Sequence, residues 1–121
     1  MKKRVSLLVL ICMVFIGCHN NHNISIAFKD SKHYYSMKAM FHKSKTRQVE
    51  RYIDRCIGNE SNVSFLNTSI DGHITLDDRT SIYMDKRAGY LLIKLDKDEN
   101  SEESYERVRN MCQGIKKILA R

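Results

Sequence analysis

Four cysteines, five histidines and one pair of adjacent aspartates are the residues of this chain best equipped for chemistry. A serine nucleophile needs a base within hydrogen-bond reach, and in one widespread arrangement it stands in a G-x-S-x-G turn. His73 with Asp77 or Asp78 and any of several serines would supply the right residue types, but no serine occupies such a turn. Asp77-Asp78 is followed by Arg79-Thr80, the composition of a solvated turn between strands and not of a cation site. His19 and His22 lie in the polar run His19-Asn20-Asn21-His22-Asn23, where two imidazoles make a solvated linker and not a metal centre. His33 and His42 flank a tyrosine- and methionine-rich segment and are expected at the surface. P-loop, glycine-rich phosphate cradle and HExxH motifs are all absent from the sequence. The expectation is no catalytic residue, no metal ligand, no cofactor and no enzyme.

The cysteines carry more. Ahead of Cys18 lie Met1, a basic Lys2-Lys3-Arg4, a largely apolar run from Val5 to Ile16, and Gly17. A short positive head, about a dozen apolar residues and a small residue form a secretory signal whose core is too short for a stable bilayer span. The run Phe15-Ile16-Gly17-Cys18 resembles the lipobox of bacterial lipoproteins. That resemblance covers the signal and the cut site alone. It implies a diacylglycerol on the Cys18 thiol, cleavage before that residue, and attachment to a membrane through the lipid. In such lipoproteins an aspartate after the cysteine tends to retain the protein in the inner membrane. Here His19 follows, which favours the outer membrane, facing the periplasm. The chain then divides into a signal peptide (1–17), a lipidated tether (18–23) and one small domain (24–121), a length that suits one core and not two.

Three of the 21 basic residues fall in the signal, leaving 18 against 14 acidic ones. A surplus of this size suits a domain near anionic headgroups, and without basic residues interleaved with aromatics it gives no reason to expect nucleic acid. Cys12 leaves with the signal and Cys18 is consumed by lipid, so Cys56 and Cys112 remain. In an oxidising compartment such a pair is expected to form a disulfide, closing a long loop and stabilising the fold by roughly 4 kcal/mol.

These residues must be positioned by alternating and helical segments. Ile24, Ile26 and Phe28 alternate as in a half-buried strand, and Tyr34 to Phe41 fits strand or helix, strand being favoured. Thr46 to Ile57 has the stripe Val49, Ile53, Cys56 and Ile57 of a helix, with Thr46 to cap its start and Gly58 its end. Val63 to Leu66, Ile74 to Leu76, Thr80 to Met84 and Tyr90 to Leu95 read as a meander, with turns at Asp71-Gly72 and at Lys86-Arg87-Ala88-Gly89. A last helix is opened by Asn100 or Ser101 and buries Tyr105, Val108, Cys112, Ile115 and Leu119. A bridge from Cys56 to Cys112 requires both helices to lie side by side. The expected fold is therefore α+β, a two-layer sandwich of an antiparallel sheet with two helices on one face, pinned by that disulfide.

Two functions fit this pattern. The first is a non-catalytic, membrane-anchored protein-binding module: a pilotin-like or assembly factor of a secretion, pilus or conjugation machine, or an exclusion or immunity lipoprotein. The second is a periplasm-facing enzyme or small-ligand carrier whose site is assembled from scattered residues. The stripe Tyr34, Tyr35, Met37, Met40 and Phe41 is either a partner surface or core packing.

Overall fold

Period-two alternation produces five strands within residues 24–121, the part of the chain that the computed structural model describes. They are β1 (Ser25–Asp30), β2 (Tyr34–Met40), β3 (Ile70–Thr75), β4 (Ser81–Arg87) and β5 (Tyr90–Asp96), all antiparallel, in the order β1-β2-β5-β4-β3. Helix α1 (Thr46–Ile57) carries the chain from the second strand across to the far edge, and α2 (Glu102–Leu119) follows the meander. The fold is α+β, one five-stranded antiparallel sheet with two helices.

Register puts one residue set of every strand on a single face. Met37 stands between Phe28 and Ile93, and Ile93 in turn beside Met84. Together with Tyr35, Ala39, Ile82, Leu91 and Leu95 these residues meet Val49, Ile53 and Ile57 of α1 and Val108, Met111, Cys112, Ile115 and Leu119 of α2 in one core. The apolar stripes of the two helices thus bury against the same side of the sheet, and among the described residues no layer covers the other side. Tyr34 to Phe41 is strand as favoured, which splits its side chains: Tyr35, Met37 and Phe41 are core, while Tyr34 and Met40 face outward.

The helices pack antiparallel, Gln48 and Tyr52 of α1 lying across from Gly114 and Arg121 of α2. Gly114 is required for space: a Cβ there would overlap the hydroxyl and ring of Tyr52. Ser101 caps α2, accepting from Ser104 N at 3.1 Å, and Glu102 and Glu103 lie in the first turn where the helix dipole favours anions.

Several expectations need correction. Cys56 and Cys112 are both free thiols, and the disulfide is not formed. Although their helices are neighbours, Cys112 is turned into the core beside Tyr35, whereas Cys56 is half-buried at the flank with Tyr52. Val63 to Leu66 is an irregular segment and not a strand; it sends Phe65 into the core as a plug. Asp71-Gly72 lies inside β3, because the pairing of Ile70 with Lys86 and Gly72 with Met84 extends that strand forward, and the turn falls instead at Leu76 to Thr80. There Arg79 takes the left-handed φ of 72°. Lys86 and Arg87 belong to β4 and not to a turn. Thr46 is the first helical residue and not the cap; its hydroxyl accepts from Gly89 N at 2.9 Å, tying α1 to the β4–β5 turn. Gly58 closes α1 in a right-handed conformation and passes into a 3-10 turn.

Strands and helices share one long axis, so the domain has two distinct ends. Ile24, the end of β2, the β4–β5 turn, the start of α1 and the end of α2 lie at one, bound together by Phe41 N to Gly89 O at 2.9 Å. At the other lie the β1–β2 and β3–β4 turns and the start of α2, joined where Tyr105 donates to Asp30 at 2.5 Å and Arg107 to Asp78 at 2.6 Å.

Candidate binding surface

The sheet face opposite the helices carries the outward set of each strand. Tyr34 and Met40 are 44% and 51% exposed, among the most open large apolar side chains of the described residues. Half-buried Tyr90 and Leu92 of β5 and Tyr83 of β4 share that face, placed there because Ile82, Met84, Leu91 and Ile93 point to the core. Each tyrosine is held by a neighbour. Lys94 stands over the Tyr34 ring at 4.6 Å and Arg87 over the Tyr90 ring at 4.3 Å. Tyr83 packs edge-on to His73, with centroids 5.4 Å apart, and its hydroxyl donates to Asp71. That hydrogen bond, strengthened by the nearby carboxylate charges, pushes the phenol up to about 12. The result is a surface of amphipathic rings in fixed orientations interleaved with charge: Leu92 stands between Lys38 and Asp85, and Lys94 beside Tyr83.

The structure disperses most of the chemically suggestive residues. His73 shares a hollow of about 440 Å³ with Asp96 and Glu99, but the hollow lies open along the sheet and His73 bonds to neither carboxylate. Asp78 sits in the β3–β4 turn, accepting from Thr80 N at 3.0 Å and from Arg107 at 2.6 Å. Partial burial would raise its carboxyl, but the bonds from Thr80 and Arg107 outweigh that and hold it below the usual range. Arg107 also grips Glu60 and the Cys56 carbonyl, so this cluster is a clasp between α2 and two loops. His33 pairs with exposed Asp98 at 2.8 Å and His42 accepts from Ser44 N at 3.1 Å, both at the surface as expected. Among the described residues no three His, Cys, Asp or Glu side chains gather as a metal site would require. No family model, no curated protein and no solved structure matches this chain.

The helix layer offers two further features. Between α1 and α2 runs a groove of about 620 Å³ whose charged lining is entirely cationic: Arg51, Arg55, Lys117 and Arg121. Beside it, Cys56, Ile57, Leu76, Ile82, Val108 and Met111 line an apolar cleft of about 270 Å³. Burial pushes the Cys112 thiol up to about 12, leaving it a packing residue. The expected signal (1–17), Cys18 and the expected tether (18–23) with His19 and His22 lie outside the described residues. No described helix is long and apolar enough to cross a membrane.

Tyr83, Tyr90 and Leu92 were not singled out by the sequence reading, although the signal was available. Once Ile82 and Met84, then Leu91, Ile93 and Leu95, are assigned inward, period two sends the intervening residues to the other face.

Proposed function

We propose that this chain is a small membrane-anchored lipoprotein that acts as a non-catalytic protein-binding module, held through diacylglycerol on Cys18 at the periplasmic side of the outer membrane. The supporting observation is the uncovered sheet face: a small domain that leaves Tyr34, Met40, Tyr83, Tyr90 and Leu92 on one side of its sheet has a surface suited to a partner. The rings are already oriented by Lys94, Arg87 and His73, so binding them costs little further side-chain entropy.

The test is to purify the tagged protein from its host in mild detergent and identify by mass spectrometry whatever accompanies it in near-equal amount. A stoichiometric partner lost with Tyr34→Ala plus Leu92→Glu, and kept with Arg55→Glu on the helix side, is the expected result. A partner indifferent to the sheet-face substitutions would refute this surface. A Cys18→Ser protein that is still cleaved and still fractionates as lipidated would refute the anchor.

A further inference from the structure

Charge in this domain is sorted along its long axis. Asp30, Glu60, Asp77, Asp78 and the six acidic residues from Asp96 to Glu106 stand at or beside one end, ten of the chain's 14. At the opposite end the exposed charges are mainly cationic: Lys43 and Arg47 before and in α1, Arg87 at the end of β4, and Lys116, Lys117 and Arg121 at the end of α2. The all-cationic groove extends this surface along the helix layer. Its four cations make no ion pair with any described carboxylate, and Gln48, Asn110, Gln113 and the Tyr52 hydroxyl surround them with further donors. Segregation of this kind gives a dipole, which orients a domain in the field of a charged plane even when its net charge is modest.

The chain enters the described domain at the cationic end, since Ile24 precedes β1 and Ser25 pairs with Met40, the last residue of β2. We infer that the cationic end and the α1–α2 groove form a seat for anionic phospholipid headgroups, with the acidic end directed away from the bilayer. This rests on the reading of Cys18 as the lipidated residue. Six residue steps separate Cys18 from Ile24, so the extended tether spans at most about 20 Å. At physiological salt the Debye length is about 8 Å, so a domain held at full reach would be largely screened, but the same short tether allows the cationic end to approach within that length, where headgroup charge acts on it. The geometry favours a bilayer over an acidic polypeptide: the cationic surface is broad, wraps from groove to end, and consists of long flexible side chains that offer point charges to many headgroups.

The experiment uses the protein purified from its host, added to vesicles of phosphatidylcholine alone or of equal phosphatidylcholine and phosphatidylglycerol. Flotation with the neutral vesicles reads the anchor by itself. The seat is read by acylating lysines with a water-soluble reagent and locating the products by mass spectrometry. On anionic vesicles Lys43, Lys116 and Lys117 are protected relative to Lys29 and Lys32 at the acidic end, and about 1 M salt removes the protection. Each cation at the headgroups contributes roughly a fivefold gain in surface partitioning, so Arg51→Glu, Arg55→Glu, Lys117→Glu and Arg121→Glu together reduce protection at Lys43 and Lys116 about tenfold or more. Flotation on neutral vesicles and the urea midpoint stay unchanged in that variant. Equal reactivity of all these lysines on both vesicles would overturn the inference, whether or not the protein floats on neutral ones. So would protection that is absent on either vesicle and supplied by polyglutamate, which would assign the surface to an acidic protein.

Discussion

Removing one member of the Glu50–Lys86 pair will cost this domain a large part of its stability, and removing both will cost less than the two losses added together. Lys86 is 2% exposed and Glu50 5%, with Lys86 Nζ at 2.6 Å from Glu50 Oε2. At an effective dielectric near 20 the attraction at that distance is about 6 kcal/mol, comparable with the several kcal/mol per ion needed to take both from water. The intact pair is thus near balance, but either ion alone keeps its desolvation cost with no compensation. Lys86 also donates to the Thr68 carbonyl, and Glu50 accepts from Asn67 N at 3.1 Å, so the pair fastens the loop that carries Phe65 into the core. Lys86→Met and Glu50→Gln are each expected to destabilise by about 3–5 kcal/mol, against a total of roughly 5–15 for a domain of this size. The double variant keeps an acceptor for Asn67 and buries no charge; its cost should fall below the sum of the singles by about 2 kcal/mol or more. Urea titration of the four proteins, checked for a constant slope, measures the cycle. Singles costing under about 1 kcal/mol each and adding in the double would show that these groups reach water, refuting the argument.

Three further outcomes follow from the packing. Asp30 has its carboxyl lowered chiefly by the hydrogen bond from Lys97 at 2.5 Å, then by that from Tyr105. Its stabilising effect is present above the ordinary value of 3.8 and fades as pH falls through the lowered folded value, so wild type and Asp30→Asn should differ in melting temperature at pH 6 and the difference should shrink as pH falls below 3.8. Alanine for glycine inside a helix ordinarily gains about 1 kcal/mol, but Gly114→Ala meets Tyr52 and should lower the melting temperature, while the same change in a Tyr52→Ala background should raise it. Alkylation of the folded protein should modify Cys56 well before Cys112, both reacting once urea is added; protection of the two from the outset would contradict the free, unequal thiols described above.

How much of this was legible depends on whether a residue's partners lie nearby in sequence. Strands β1, β4 and β5 and both helices follow from their own periodicity, since Ile82 and Met84 or Val108, Cys112 and Ile115 point to a common side whatever they meet, whereas Tyr34 to Phe41 fits either period and is fixed as strand by pairing with β1 and β5. The reading failed where a distant partner overrode local propensity. Asp71-Gly72 is good turn chemistry, but pairing with β4 keeps it extended. Lys86 occupies an inward position that only Glu50, 36 residues earlier, makes tolerable, and without that distant partner its charge reads locally as a turn. The disulfide was inferred from two cysteines on neighbouring helical stripes. Neighbouring helices satisfy only part of that geometry, because the thiols must also point at each other, and here one faces the sheet and the other the flank. The tyrosines of the open face are legible as the complement of the buried pattern, since period two sends Tyr83 and Tyr90 opposite to Ile82, Met84 and Leu91.

The two proposed surfaces constrain one another. The open sheet face and the helix layer are opposite sides of one thin sandwich, and the strands run from the cationic to the acidic end. A domain seated by its cationic end and its α1–α2 groove leaves Tyr34, Tyr83 and Leu92 uncovered, while Met40, Arg87 and Tyr90, at the cationic end, are the residues where lipid and partner would meet. Seating by the sheet face instead would bury those tyrosines against headgroups and turn the cationic groove to solvent, where screening leaves its charges without use. The electrostatics favour the first arrangement. In it the anchor supplies proximity, the charge asymmetry supplies orientation, and the rings of the sheet are presented to a second protein in one fixed attitude, which lowers the entropic cost of capturing it.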